Sequence, residues 1–135
     1  MSYPIRDIDG LDEATARNLC KAGIRTTAKL LDAAKDAKGR KALACKTGID
    51  ERVLLRFANM ADRLRVKGLG KGHAALMHAA GVETVRELKH RNAKRLAQAM
   101  AEANAERRLV KFDPTEAAAK RWIEEAQTLP LKITY

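Results

Sequence analysis

The stretch VKGLGKGHAALMHAAG, residues 66–81, places glycines at 68, 70, 72 and 81, lysines at 67 and 71, and histidines at 73 and 78. A glycine-rich turn that opens a helix has one chemistry ready to hand. The first helical turn carries amides with no intrahelical acceptor and the positive end of the peptide dipoles, so it attracts an anion. Gly68 and Gly70 remove the Cβ atoms that would hold a phosphate away. Lys67 and Lys71 flank the turn with charge, and His73 falls in the first helical turn. The rival meaning of the same glycines is purely structural, a tight turn between two helices.

Other chemistries fit these residues worse. A dinucleotide fingerprint needs a strand before its glycines, whereas the charged helical pattern ADRLRV precedes Gly68 and no parallel-sheet scaffold follows. GLGKGH lacks the full Walker spacing and its Lys-Ser/Thr ending. His73, His78 and His90 have neither an i, i+4 histidine partner nor a neighbouring cysteine, so no metal site is expected. Cys20 and Cys45 are too few for a disulfide framework and read as two packed, reduced thiols.

The elements that must position the turn emerge from an internal repeat. IDGLDEATARNLCKAGIRTTAKL (8–30) aligns without gaps on VKGLGKGHAALMHAAGVETVREL (66–88). Gly10, Leu11, Ala16, Ala22, Gly23, Thr26 and Leu30 fall on Gly68, Leu69, Ala74, Ala80, Gly81, Thr84 and Leu88. In each copy a glycine turn opens a helix, whose apolar side holds Ala16, Leu19 and Cys20 or Ala74, Met77 and His78. Gly23 and Gly81 suit the left-handed position that ends it. Thr26 and Thr84 suit the N-cap of the next helix, with Thr84 and Glu87 forming a capping box.

Longer helices are predicted over 50–64, capped by Asp50, and over 113–129, with Asp113 as cap and Pro114 first in the helix. Two more are predicted, over about 37–47, ended by Gly48, and about 93–105, capped by Asn92. The C-terminal PLKITY has no helical pattern, and strand signals are absent throughout. The expected fold is all-α, one compact domain over 1–135 built of two pseudo-repeated units, 1–65 and 66–135, with no sheet.

Composition narrows the partners. The chain has 135 residues, 27 Lys and Arg against 17 Asp and Glu, and a formal net charge of +10, a field that favours polyanions. Nine of those bases lie between Arg63 and Arg95 against two acids, Glu83 and Glu87. The bland account of this run is a set of solvated helix faces. Aromatic residues make up only 4% and are scattered singly, which argues against a stacking platform for single strands, and Trp122 is expected in the core. The start carries charge by residue 6 and no apolar run approaches the ~20 residues of a membrane span, so a cytoplasmic protein without membrane contact is expected.

The pattern apolar-x-Gly-Leu-Gly-x-x-x-Ala-x-x-Met, then Ala-Gly-apolar-x-Thr-x-x-x-Leu, over 66–88 resembles the helix-hairpin-helix motif of DNA polymerases and repair proteins. Residues 8–30 match it with departures, and the whole chain resembles an uncharacterised bacterial family of tandem helix-hairpin-helix proteins, known only as a domain of unknown function. The resemblance implies a SAM-like helical bundle whose hairpin lies on the sugar–phosphate backbone of duplex DNA, in preference to RNA, through its backbone amides. It also implies that hairpin carbonyls can hold a monovalent cation; no other cofactor is expected. Glycosylases built on this motif need an aspartate beyond the hairpin and a base pocket, whereas here Glu83, Glu87 and a basic run follow and the next acid is Glu102. No catalytic residue is expected, and the chain reads as non-enzymatic.

The expected nucleic-acid surface is therefore Lys67, Gly68, Leu69, Gly70, Lys71, Gly72 and His73, with Arg65, Lys89, Arg91, Lys94 and Arg95 supplying further charge. Gly10, Gly23 and Gly81 are expected to be structural turns. The first copy reads DGLDEAT where the second reads KGLGKGH, and Asp9, Asp12 and Glu13 would repel a phosphate. That turn is expected to be structural or to face a protein. An assembly module that binds an acidic protein and not DNA remains the alternative function, and the sequence leaves the oligomeric state open.

Overall fold

The computed structural model describes residues 2–135, and among them it is all-helical, with eight α-helices and one 3-10 turn. The chain divides into two compact units. One comprises residues up to Arg65 together with Lys132–Tyr135, and the other comprises Val66–Leu131. The last four residues, expected with the second unit, thus pack in the first.

The first unit holds the 3-10 turn Ile5–Asp7, α1 (Glu13–Lys21), α2 (Thr27–Ala34), α3 (Ala37–Thr47) and α4 (Glu51–Arg63). Helices α2, α3 and α4 pack on one another, burying Leu30, Leu31, Leu43, Leu54 and Phe57 at their contacts. Burial of such side chains, worth about 1.5–3 kcal/mol each, is what holds short helices that would be marginal alone. No strand forms among the described residues. A single antiparallel bridge joins Pro4 to Thr26, flanked by Thr27 N–H on the Tyr3 carbonyl at 2.8 Å and Ile5 N–H on the Arg25 carbonyl at 3.0 Å. The buried Arg40 guanidinium donates to the carbonyls of Ala34 (2.9 Å) and Thr134 (2.7 Å), which fastens the C-terminal tail.

The second unit holds α5 (Lys71–Ala79), α6 (Val85–Lys89), α7 (Ala93–Arg107) and α8 (Glu116–Thr128). Helix α8 packs on α7 and α6, and α7 packs on α5. Their shared core includes Leu76, Met77, Leu88, Leu96, Met100 and Trp122. Helix α8 starts two residues later than its sequence predicts. The Thr115 hydroxyl accepts the Ala118 N–H and so caps the helix, while Asp113 is taken up by the Asn104 side-chain amide at 3.0 Å. The Thr84–Glu87 box also differs by one residue. Thr84 Oγ accepts from the Glu87 N–H at 3.0 Å, but the Glu87 carboxylate reaches the N–H of Glu83.

Residues 8–30 and 66–88 carry matching backbone bonds. Leu11 N–H meets Ile8 O, as Leu69 N–H meets Val66 O, and Ile24 N–H meets Leu19 O, as Val82 N–H meets Met77 O. Gly10 and Gly68 have φ of 83° and 82°, and Gly23 and Gly81 have 87° and 96°, conformations that side chains rarely adopt. At Gly39, inside α3, the constraint is different. A Cβ there would run into the Ala33 carbonyl oxygen, which explains a glycine within a helix.

A candidate nucleic-acid interface at the start of α5

The turn 66–70 delivers the chain into α5 with Gly70 as N-cap, in extended backbone at φ −83° and ψ 177°. That conformation suits any residue. Gly70 brings no side chain to the cap, and no acid stands in the first turn of α5. The other seven α-helices are each capped by a side chain: Asp12, Thr26, Asp36, Asp50, Thr84, Asn92 and Thr115. A Cβ at Gly70 would meet nothing within 4 Å, so the cap position itself is open on that side. Gly72 serves a different end. A Cβ there would come within 3.1 Å of Val110 Cγ1 and 3.4 Å of the Leu109 carbonyl, so Gly72 lets the 109–110 segment lie against α5.

Beside this turn lies an open cleft of about 760 Å³. Lys67, Gly68 and His73 form one wall, residues 110–115 a second, and one face of α8 from Ala118 to Glu125 the third. The second wall is pinned by Asn104, which is buried. Its amide donates to the Val110 carbonyl (3.1 Å) and to Asp113 Oδ1 (3.0 Å), and its own oxygen accepts the Val110 N–H at 3.1 Å. Arg108, left-handed at φ 51°, ends α7 and turns the chain into this segment.

The cleft is not uniformly basic. Lys67, Lys111 and Arg121 are balanced by Asp113, Glu124 and Glu125. His73 packs on Trp122, with ring centroids 5.1 Å apart and tilted at 47°. Burial there holds the imidazole below its ordinary pKa, so at neutral pH it contributes a hydrogen-bonding ring and not a charge. Phe112 stands 76% exposed at the edge of the cleft, with the Lys111 ammonium 5.6 Å from its ring centre.

The expected site residues separate into groups. Lys67, Gly68 and His73 line the cleft, and Gly70 and Lys71 form the open start of α5. Leu69 is fully buried, so its side chain belongs to the core and only its backbone can meet a ligand. The Lys89 ammonium donates to the Leu129 carbonyl at 2.8 Å, which ties α6 to the end of α8. That point lies seven residues beyond Trp122, about 10 Å along the helix. Arg65 belongs to the first unit, where its Nη2 lies 2.5 Å from Asp62 Oδ1. Lys94 and Arg95 are exposed in the first turn of α7, Arg91 is half-buried before it, and none of the three lines the cleft. Sequence reasoning missed Phe112 and the acids Asp113, Glu124 and Glu125. The available signal was an aromatic outside any apolar periodicity, immediately before Asp-Pro.

In the first unit the corresponding turn is closed. The Thr15 N–H donates to Asp12 Oδ1 at 2.7 Å, and this bond holds the Asp12 carboxyl below its ordinary pKa. Glu13 pairs with Arg6 at 2.9 Å.

These features define an all-helical protein of two compact units, one with an acid-capped turn and one with an open, basic turn. The family model described as Domain of unknown function (DUF4332) matches residues 9–129, a span that includes most of both units, and the chain belongs to that family. No curated protein and no solved structure matches it. No helix among the described residues is long and apolar enough to cross a membrane.

Proposed function

We propose that this chain is a small, non-enzymatic nucleic-acid-binding module that sets the turn 66–71 on the phosphate backbone, duplex DNA being the favoured target. On this reading the two glycine turns are helix-hairpin-helix units, the motif that residues 66–88 resemble, and only the second contacts nucleic acid. One observation carries the proposal. Helix α5 alone among the eight α-helices begins without a side-chain cap, and a Cβ at its cap position Gly70 would meet nothing within 4 Å. Exposed Lys67 and Lys71 add charge at that point. Backbone amides on phosphate oxygens read no bases, so binding should tolerate any sequence, with Kd about 10⁻⁴ to 10⁻⁶ M at physiological salt.

The test is fluorescence anisotropy of a labelled blunt duplex across a salt series, for wild type and Lys67→Ala. Loss of one phosphate contact should lower the slope of log K against log salt by about 1. Equal slopes would reduce the turn to diffuse electrostatics, and no binding at low salt would remove the proposal. A second reading, a protein-binding module, is favoured by the exposed acids Asp9, Asp12 and Glu13 of the first turn. It requires a partner that stays bound after nuclease treatment.

A further inference from the structure

The cleft beside the phosphate turn brings together groups that a phosphate has no use for. Phosphate recognition needs amides and cations, and the start of α5 with Lys67 provides them. Beside Lys67 lies the His73 ring, backed by Trp122, and across the cleft stand an exposed phenyl ring and three carboxylates. Carboxylates oppose a backbone phosphate, so this wall is built for another part of the ligand. Aromatic faces stack on nucleobases, and a carboxylate accepts hydrogen bonds from the exocyclic amino groups of adenine, cytosine and guanine. Thymine has no such amine.

We propose that the cleft receives one unpaired nucleotide, its phosphate at Lys67 and the start of α5 and its base against Phe112 and the carboxylates of α8. The inference rests on the phosphate-backbone reading above and names the form of nucleic acid that site prefers: a frayed end, an overhang or a gap, over a closed duplex. Three features support it. The volume, about 760 Å³, lies within the range of about 300–1,000 Å³ that holds small ligands. Lys67 and Gly68 line the same cleft as Phe112 and Glu125, so one nucleotide can meet both walls. A phenyl ring left 76% exposed contributes little to the core, and a stacking partner would use it.

Among the carboxylates, Glu125 is the best placed to read the base. It is half-buried, whereas Glu124 is exposed and Asp113 already accepts from Asn104. The aromatic scatter in the sequence argued against base stacking. The fold nevertheless gathers His73, Phe112 and Trp122 at one cleft.

The experiment compares a blunt hairpin duplex with the same duplex carrying a two-nucleotide dA or dT overhang, for wild type, Phe112→Ala, Glu125→Gln and Lys67→Glu. Wild type should bind the dA overhang about five- to tenfold tighter than the blunt duplex, the lower range of a single base stack. Phe112→Ala should abolish that preference and leave blunt-duplex affinity unchanged. Glu125→Gln should narrow the gap between dA and dT overhangs, and Lys67→Glu should weaken every DNA. Phe112 is too exposed for its loss to unfold the chain. Trp122, the only tryptophan, gives a second readout, because its emission should change with overhang DNA and not with blunt DNA. Equal wild-type affinity for blunt and overhang DNA, or a Phe112→Ala loss of equal size on both, overturns the inference and leaves the phosphate reading standing. Failure of wild type to bind any of these DNAs overturns both.

Discussion

Asp12 and Gly70 hold the same position in two aligned segments, each the N-cap of the helix that follows a left-handed glycine. The Asp12 carboxylate accepts the Thr15 N–H at 2.7 Å, while Gly70 leaves the corresponding place before α5 without a side chain. Gly70→Asp should therefore close α5 as Asp12 closes α1. The backbone at Gly70 admits any residue and a Cβ there meets nothing, so the change carries no strain. An acidic cap in place of glycine should raise stability by roughly 0.5 kcal/mol. The same carboxylate should lower duplex affinity at least tenfold. Thermal melting and anisotropy on one preparation measure both, and a variant that gains stability while retaining full binding would contradict the proposed role of the turn.

The helices were readable because their punctuation is local. Asp50, Asn92 and Gly48 act within three or four residues of themselves, and each sits where an N-cap or a left-handed C-cap is observed. The start of α8 was misplaced because Asp113 and Thr115 both suit a cap. Asn104, nine residues earlier in the chain, decides between them by claiming Asp113. The cleft was illegible for the same reason at larger scale. Lys67 and Glu125 are 58 positions apart in the sequence, and no periodicity relates them. Charge counting does not show that the Lys89 ammonium rests on a carbonyl or that the Arg65 guanidinium meets a buried carboxylate.

Asn104 should be the residue on which the cleft depends. Its three hydrogen bonds hold Val110 and Asp113, and it is only 8% exposed. Asn104→Ala leaves the Val110 amide and carbonyl without those partners and should cost about 2–3 kcal/mol. Amide hydrogen exchange at 109–113 should rise by more than at α6, which is tied to the C-terminal end of α8. Uniform acceleration across the unit would show that Asn104 supports the core and not the wall.

Asp62 and Arg65 make a buried ion pair in the first unit, with side chains 5% and 13% exposed. Burial pushes the Asp62 carboxyl above its ordinary range, and the attraction of Arg65 only partly opposes that shift. A raised folded pKa means that this group's contribution is fully present below the unfolded value of 3.8 and declines as pH rises through the folded one. Asp62→Ala removes the carboxylate from beside a nearly buried guanidinium and should cost about 3 kcal/mol at neutral pH. Asp62→Asn should cost less, and the stability gap between it and wild type should widen as pH falls from 7 to 4.5. Denaturant melts at both pH values measure the sign, and a gap that narrows on acidification would mean that the charge attraction outweighs burial.

His73 responds to pH in the opposite sense. Its folded pKa lies below the ordinary 6.5 because its ring is partly buried on Trp122, so the unfolded chain takes up a proton more readily. The stability it contributes is complete above about pH 6.5 and is lost as pH falls through the depressed folded value. His73→Phe keeps an aromatic ring against Trp122 but has no proton to gain. Between pH 7.5 and 5.5 the variant should therefore lose less Tm than wild type, with every other titrating group common to both. Binding supplies an independent check. Protonated His73 places a cation on the cleft wall that Lys67 shares, so overhang DNA should bind wild type more tightly at pH 5.5 than at 7.5, relative to His73→Phe. Parallel pH profiles for the two proteins, in Tm and in affinity alike, would assign His73 to packing alone.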